Sequence, residues 1–248
     1  MTLALFRRAP EFDPPHLEVA HEGTLFKVIV KRRPAASRMT LRVSGATGEI
    51  ILTLPPKGAI KTAQAFVAAH GGWIAARVAK LPQKVAFRPG SVVPVRGVPH
   101  RIVHWSQVRG ATRFAEDGDG ERVIAVCGDA AGVPGRVRRF LATEATRDLA
   151  EAVQRHTDTL GIPASRVTLR DTRSRWGSCS SSGALSFSWR LIMAPAFVLD
   201  YLAAHEVGHL KEMNHSQRFW RVVHGLCPRT DEAEAWLKRH GHALHHYG

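Results

Sequence analysis

The chain has 248 residues, 44% of them apolar and 23% charged, ordinary proportions for a globular protein with room for one large core or two small ones. No run approaches about 18 uncharged apolar residues, which argues against a helical membrane span. Three cysteines, Cys127, Cys179 and Cys227, are too few and too odd a set for a disulfide framework. The first residues lack the basic-then-apolar order of a secretory signal, so a cytoplasmic location is expected.

The net charge is +14. Residues 1–130 hold 19 Lys and Arg against 10 Asp and Glu, and residues 131–248 hold 16 against 11, so the excess is spread along the chain. Such a field favours polyanions, nucleic acid first among them, although general solubility explains it equally well. No zinc-finger spacing or RNA-binding signature sharpens the signal.

In chain order, residues 1–23, with Pro10, Pro14 and Pro15, predict a poorly ordered lead-in. Residues 24–130 predict a β-rich lobe. Its strands are expected at 26–31, 39–43 and 49–54, joined as an antiparallel meander, and again at 91–95, 98–105 and 122–127. Between the two sets, apolar residues at helical spacing over 57–81 predict two helical pieces broken at Gly71 and Gly72. The glycine-rich stretch 128–135 predicts a linker. A catalytic region is expected over 136–248: a long helix to Leu160, a strand at 166–170, a second at 184–191, and a helix opened by Pro195. Ser216 and Thr230 stand as N-caps of two further helices. No internal repeat is evident, and the histidines of the last residues, 240, 242, 245 and 246, suggest a surface tail. The fold class is therefore α+β.

The segment with the clearest chemistry is His205-Glu206-Val207-Gly208-His209, followed by His215. Residues four apart project from one helical face, so His205 and His209 can grip a single ion. A catalytic zinc takes three protein ligands and keeps one position open, and His215, beyond the helix end, is the expected third ligand. Glu206 is placed to act as general base on a metal-activated water. Metzincins use the same histidine spacing with a glycine at the turn. Here that position is Glu212, so the turn is built differently and the chain is not assigned to that group. A solvated His/Glu helix face is the bland alternative. It explains neither the third histidine nor the apolar Leu199, Leu202, Val207 and Leu210 on the same helix.

The run 175–180 (RWGSCS), Trp189-Arg190-Leu191, Ala194-Pro195, Asp200-Tyr201, and the histidine motif with Phe219 and Trp220 resemble the YgjP-like metallopeptidases, relatives of the SprT-like and WLM zincins. The likeness extends more weakly to 37–43 and 70–74. It implies a zincin-type catalytic region, one zinc per chain and a protein or peptide substrate. SprT and WLM relatives are linked to cutting proteins crosslinked to DNA, which keeps open an alternative as a nucleic-acid-associated zinc protein.

Around the motif, Tyr201, Arg175 and His224 are candidates for oxyanion stabilisation or for supporting the ligands. The strand 184–191, with Ser186 and Ser188, is the candidate edge for an extended substrate. Trp176 and Trp189 read somewhat better as core aromatics, and Cys179, which as a thiolate could be a fourth ligand or a redox switch, reads better as a small buried turn residue.

Overall fold

The computed structural model describes residues 14–107, 109–172 and 175–248. The chain divides into two compact units, Met1–Pro82 and Gln83–Gly248.

The first unit is a four-stranded sheet carrying two helices. Its strands are β1 (His16–His21), β2 (Thr24–Arg32), β3 (Thr40–Val43) and β4 (Ile50–Leu54), in spatial order β1-β2-β4-β3. Alternation sends Leu17, Val19, Val28, Ile50, Leu52 and Leu54 to one face. There they pack with Ala63 and Val67 of α1 (Ile60–Ala69) and Ile74 of α2 (Gly71–Ala79). Two expectations fail here. Residues 16–21 of the supposed lead-in form a strand, because Glu22 and Gly23 take positive φ (47° and 76°) and close a tight hairpin onto β2. The lead-in's residues 1–13 lie outside the described residues. Nor is the sheet a meander: β2 and β4 run parallel, and β3 pairs with the far side of β4. Apolar alternation fixes the face a residue occupies, not which strand lies next door.

The second unit opens on the same topology. Strands β5 (Val92–Val95), β6 (Val98–Trp105), β7 (Arg113–Glu116) and β8 (Arg122–Cys127) lie in the order β5-β6-β8-β7, with the central pair again parallel. The first hairpin again turns on a positive-φ residue followed by glycine, Arg96 (52°) and Gly97 (79°). Gly48 (73°) and Gly120 (77°) stand two residues before β4 and β8. The chain therefore contains an internal repeat of fold that its residues do not advertise. The expected linker at 128–135 holds a short 3-10 turn, Ala130–Gly132, leading into α3 (Val133–Leu160). Val137 and Leu141 of α3 share a core with Ile124 and Val126 of β8, so this junction is no domain boundary. The sheet's apolar face needs α3 to cover it.

Beyond α3 lies a three-stranded sheet, order β10-β11-β9, made of β9 (Arg166–Arg170), β10 (Gly177–Cys179) and β11 (Ala184–Ser188). Helices α4 (Ala196–Gly208), α5 (Gln217–Leu226) and α6 (Thr230–Leu244) complete the unit. The strand expected to reach residue 191 stops at Ser188, and Trp189–Met193 form a 3-10 turn. β11 pairs with β10 on one side and β9 on the other. Ser186 and Ser188 thus sit on a central strand, and their expected role at a substrate edge is overturned. β10 is the edge. Arg229, not Thr230, is the N-cap residue of α6. The histidine-rich end is not a surface tail either: His246 is buried and Tyr247 pairs with Val85.

The turn at Gly97 ties the β5–β6 hairpin to the start of α4. A Cβ there would come within 3.1 Å of Pro195, on a backbone that already disfavours L side chains. Gly97→Ala is expected to destabilise the protein by about 1–3 kcal/mol, read as a fall of several degrees in Tm on thermal unfolding.

Candidate metal centre

Helix α4 is apolar nearly all round, and Val198, Leu199, Leu202, Ala203, Ala204 and Val207 are buried. That burial fixes its position and rotation, and its last turn then presents His205 and Glu206, with His209 at the C-cap. The chain leaves the helix, and Asn214 Oδ1 accepts from Ser216 N (3.2 Å). Ser216 caps α5 through Phe219 N. This turn carries His215 back over the helix end.

The three imidazoles converge. One ring nitrogen from each of His205, His209 and His215 lies within 4.8 Å of the others, and the Nε2 atoms of His205 and His215 are 3.1 Å apart. Two nitrogens each about 2.0–2.1 Å from one tetrahedral ion stand roughly 3.3 Å apart, so the spacing fits a shared cation. The rings are also oriented for it. His209 Nδ1 donates to the Glu212 carbonyl (3.0 Å), and His205 Nδ1 donates to the Tyr201 hydroxyl (3.2 Å), which donates in turn to Glu234 Oε1 (3.1 Å). With each Nδ1 holding its proton, each Nε2 offers a lone pair. Burial, with the neighbouring His209 and His215, depresses the His205 pKa to about 4, and burial also lowers that of His209. These are neutral donors of the kind a metal requires.

Glu206 is 5% exposed. Burial pushes its carboxyl up to about 7, with the Arg175 guanidinium pulling the other way. Its wall is strand β10: a Cβ on Gly177 would lie 2.7 Å from Glu206 Cγ. Gly177 is thus the position in the RWGSCS run that admits the carboxylate.

Of the other candidates, Tyr201 faces the Nδ1 side of His205, away from the converging nitrogens, which removes it as an oxyanion donor and leaves the supporting role. His224 lies 6.3 Å from the Trp220 ring and 3.8 Å from Asp231, outside the cluster. Arg175 is exposed and feels Glu206. Cys179 is not among the converging ligands, and burial and Glu206 hold its thiol above the ordinary range. Trp176 stacks on His245 (4.6 Å) and Trp189 is buried, both as structural aromatics. Sequence reasoning alone misses Gly177, Glu234 and Phe219's place among the rings. Of these, only the glycine in RWGSC carries a visible signal.

Two outcomes follow from this geometry. Gly177→Ala should displace Glu206 while leaving the histidines in place. Zinc stoichiometry, measured by atomic absorption, is expected to be unchanged while hydrolysis falls at least about a hundredfold. In metal-free protein, the raised pKa of Glu206 means the folded state holds its proton more tightly than the unfolded chain. Stability is then lost as pH rises from about 4.5 to 7. Glu206→Gln should therefore be the more stable form above pH 7, by at most about 3 kcal/mol, with the difference vanishing towards pH 4.5 in urea titrations.

Among solved structures, the crystal structure of the metallopeptidase zymogen of Pyrococcus abyssi abylysin shares 22% identity, with 37% of this chain and 93% of that chain covered and a TM-score of 0.34. A search of curated proteins gives no match. The family model for the YgjP-like metallopeptidase domain matches residues 37–240, four-fifths of the sequence and both units. The chain belongs to the YgjP-like metallopeptidase family.

Proposed function

We propose that the protein is a zinc-dependent peptidase in which His205, His209 and His215 hold one zinc and Glu206 is the general base. The observation that carries this is the convergence of three imidazole nitrogens beside a buried carboxyl whose pKa is pushed up to about 7. Zinc held there supplies Lewis acidity to a substrate carbonyl and makes water a nucleophile near pH 7. Glu206 takes the proton of the attacking water and returns it to the departing amine, a task suited to a group that gains and loses a proton near pH 7. Tyr201 and Glu234 hold the His205 ring in orientation. Arg175 is a cation whose charge pulls the Glu206 pKa down, and its role is to keep part of the Glu206 population ionised.

The substrate lies as an extended strand along the free edge of β10, beside α4. There backbone hydrogen bonds hold any sequence and side-chain pockets choose among them. Trp220, its ring 5.8 Å from His205 and 6.0 Å from His215, and exposed Met213 (55%) supply an apolar rim for a substrate side chain. A second reading, action on proteins held on nucleic acid, is supported by the net charge of +14.

The test is zinc content and casein cleavage for wild type, Glu206→Gln and His215→Ala, with and without DNA. Glu206→Gln should keep one zinc per chain and lose cleavage by about 10²–10⁴-fold. His215→Ala should weaken zinc binding at least about tenfold. Full cleavage by Glu206→Gln would sink the proposal, and cleavage only with DNA present would select the second reading.

A further inference from the structure

The two units carry equal net charge and use it differently. Met1–Pro82 holds 12 Lys and Arg against 5 Asp and Glu, and Gln83–Gly248 holds 23 against 16, which is +7 in each case. The first unit reaches that figure in half the length. Among the described residues of the second unit, eight arginines, Arg96, Arg101, Arg138 and Arg190 included, form ion pairs with carboxylates. In the first, Lys27, Lys31, Arg33, Arg38, Arg42 and Lys57 have no carboxylate partner among the described residues. Over 24–82 Glu49 is the sole acid against ten Lys and Arg.

Three of these cations share one sheet face. Val28 of β2, Leu41 and Val43 of β3, and Ile50, Leu52 and Leu54 of β4 point into the core with the helices. By alternation Lys27 and Lys31, Arg42 and Thr40, and Thr53 point out, and the two lysines, Arg42 and Thr40 are exposed. Register aligns Lys31 with Thr53 and Thr40, and Ile29 with Ile51 and Arg42. At strand spacings, Lys27, Lys31 and Arg42 then form a triangle with sides on the order of 10–13 Å. That matches the Debye length at physiological salt, roughly 8–10 Å, so their fields add. Thr53 and Thr40 continue the Lys31 row across β4 and β3, and Ile29 and Ile51 fill the middle of the triangle. Glu18, opposite Lys27 on β1, and exposed Glu49, the residue before Ile50 of β4, are the acids at the margin of this face. Trp73 belongs to α2, on the other side of the core, and among the described residues of this face no Phe, Tyr or Trp stands to stack on bases, His16 opposite Ile29 being the one ring at its margin.

We propose that this outward face of the first unit, centred on Lys27, Lys31 and Arg42, binds the phosphate backbone of nucleic acid without reading its sequence. Unpaired cations, with threonine hydroxyls beside Lys31, suit phosphate oxygens. The absence of stacking aromatics on the face argues against base readout. The inference rests on charge and exposure, not on the zinc site, so either can fail alone.

The test is fluorescence anisotropy of the full chain with a labelled 20-base-pair duplex DNA of arbitrary sequence, titrated from 50 to 300 mM salt. The variants are Lys27→Gln/Lys31→Gln/Arg42→Gln and a charge-matched control, Arg166→Gln/Arg170→Gln/Lys238→Gln, three exposed cations of the second unit. The first triple should weaken binding at least about tenfold at 100 mM salt. It should also lower the salt slope by about 2–3, near 0.9 for each phosphate that is no longer neutralised. The control should do markedly less. Circular dichroism and zinc content should match wild type in both. Equal losses in both triples would reduce the effect to net charge and overturn the assignment, as would no measurable binding by wild type at 50 mM salt. Binding to anionic phosphatidylserine vesicles but not to DNA would overturn it in favour of a membrane surface.

Discussion

Phe219 is fully buried, and the rings of His205, His209 and His215 lie 4.9, 4.4 and 4.8 Å from it. Two of these histidines are fixed by helix α4 and would keep their spacing without help. The third comes from a turn outside that helix, and the shared aromatic post holds it in register with the others. The apolar post also excludes water from behind the rings. At His205 and His209 desolvation disfavours the imidazolium, so one side chain serves both geometry and protonation state. Ser216, capping α5 through Phe219 N, sets where that post stands. The His215-Ser216 pair and Phe219 are therefore one device: a converging imidazole, a cap and a post within five residues.

The wall opposite is built from backbone. β10 is three residues long and approaches α4 at a residue without a side chain. A carboxyl can be buried there because a glycine makes room for it, and the resulting desolvation raises its pKa towards the pH at which a general base is most useful. The arrangement costs stability in the metal-free fold, as functional sites commonly do. The surrounding apolar core, which joins the second sheet, α3 and α4, is what can bear that cost.

How much of this the sequence discloses depends on the range of the interaction. The ligand pair is a local property of one helix, four residues apart, and His215 is close enough to be read with it. Six of the eight strands of the two four-stranded sheets are also local and legible from alternation, whereas β1, placed in the lead-in, and β7 are not. Nor are the strands' neighbours: β2 beside β4 and β6 beside β8 are pairings across an intervening strand, and alternation carries no information about them. For the same reason β11, whose five residues advertise a strand, reads as the substrate edge although it is central. β10, with Gly, Ser and Cys and no periodic signal, is the true edge and is invisible to alternation. Glu234 and Tyr201 meet from different helices, and nothing in either segment foretells their hydrogen bond.

The repeated topology explains one further asymmetry. Both copies turn their first hairpin on a positive-φ residue and a glycine, a constraint of backbone that leaves the side chain at the first position free to diverge. In the first copy that residue is Glu22, exposed beside His21. In the second it is Arg96, whose guanidinium reaches Glu144 and Asp148 of α3 (2.8 and 2.7 Å) while its backbone N–H donates to Ile192 (2.6 Å). One turn thus clasps both the long helix and the 3-10 segment that leads into α4. In the second copy Arg96 is drawn inward to brace α3, and Arg101 pairs with Asp117 and Glu121 beside its own sheet. The first copy has no comparable long helix to hold, so its cations on β2 and β3 stay turned to solvent. The same fold, repeated, is a scaffold for the site in one case and a charged surface in the other.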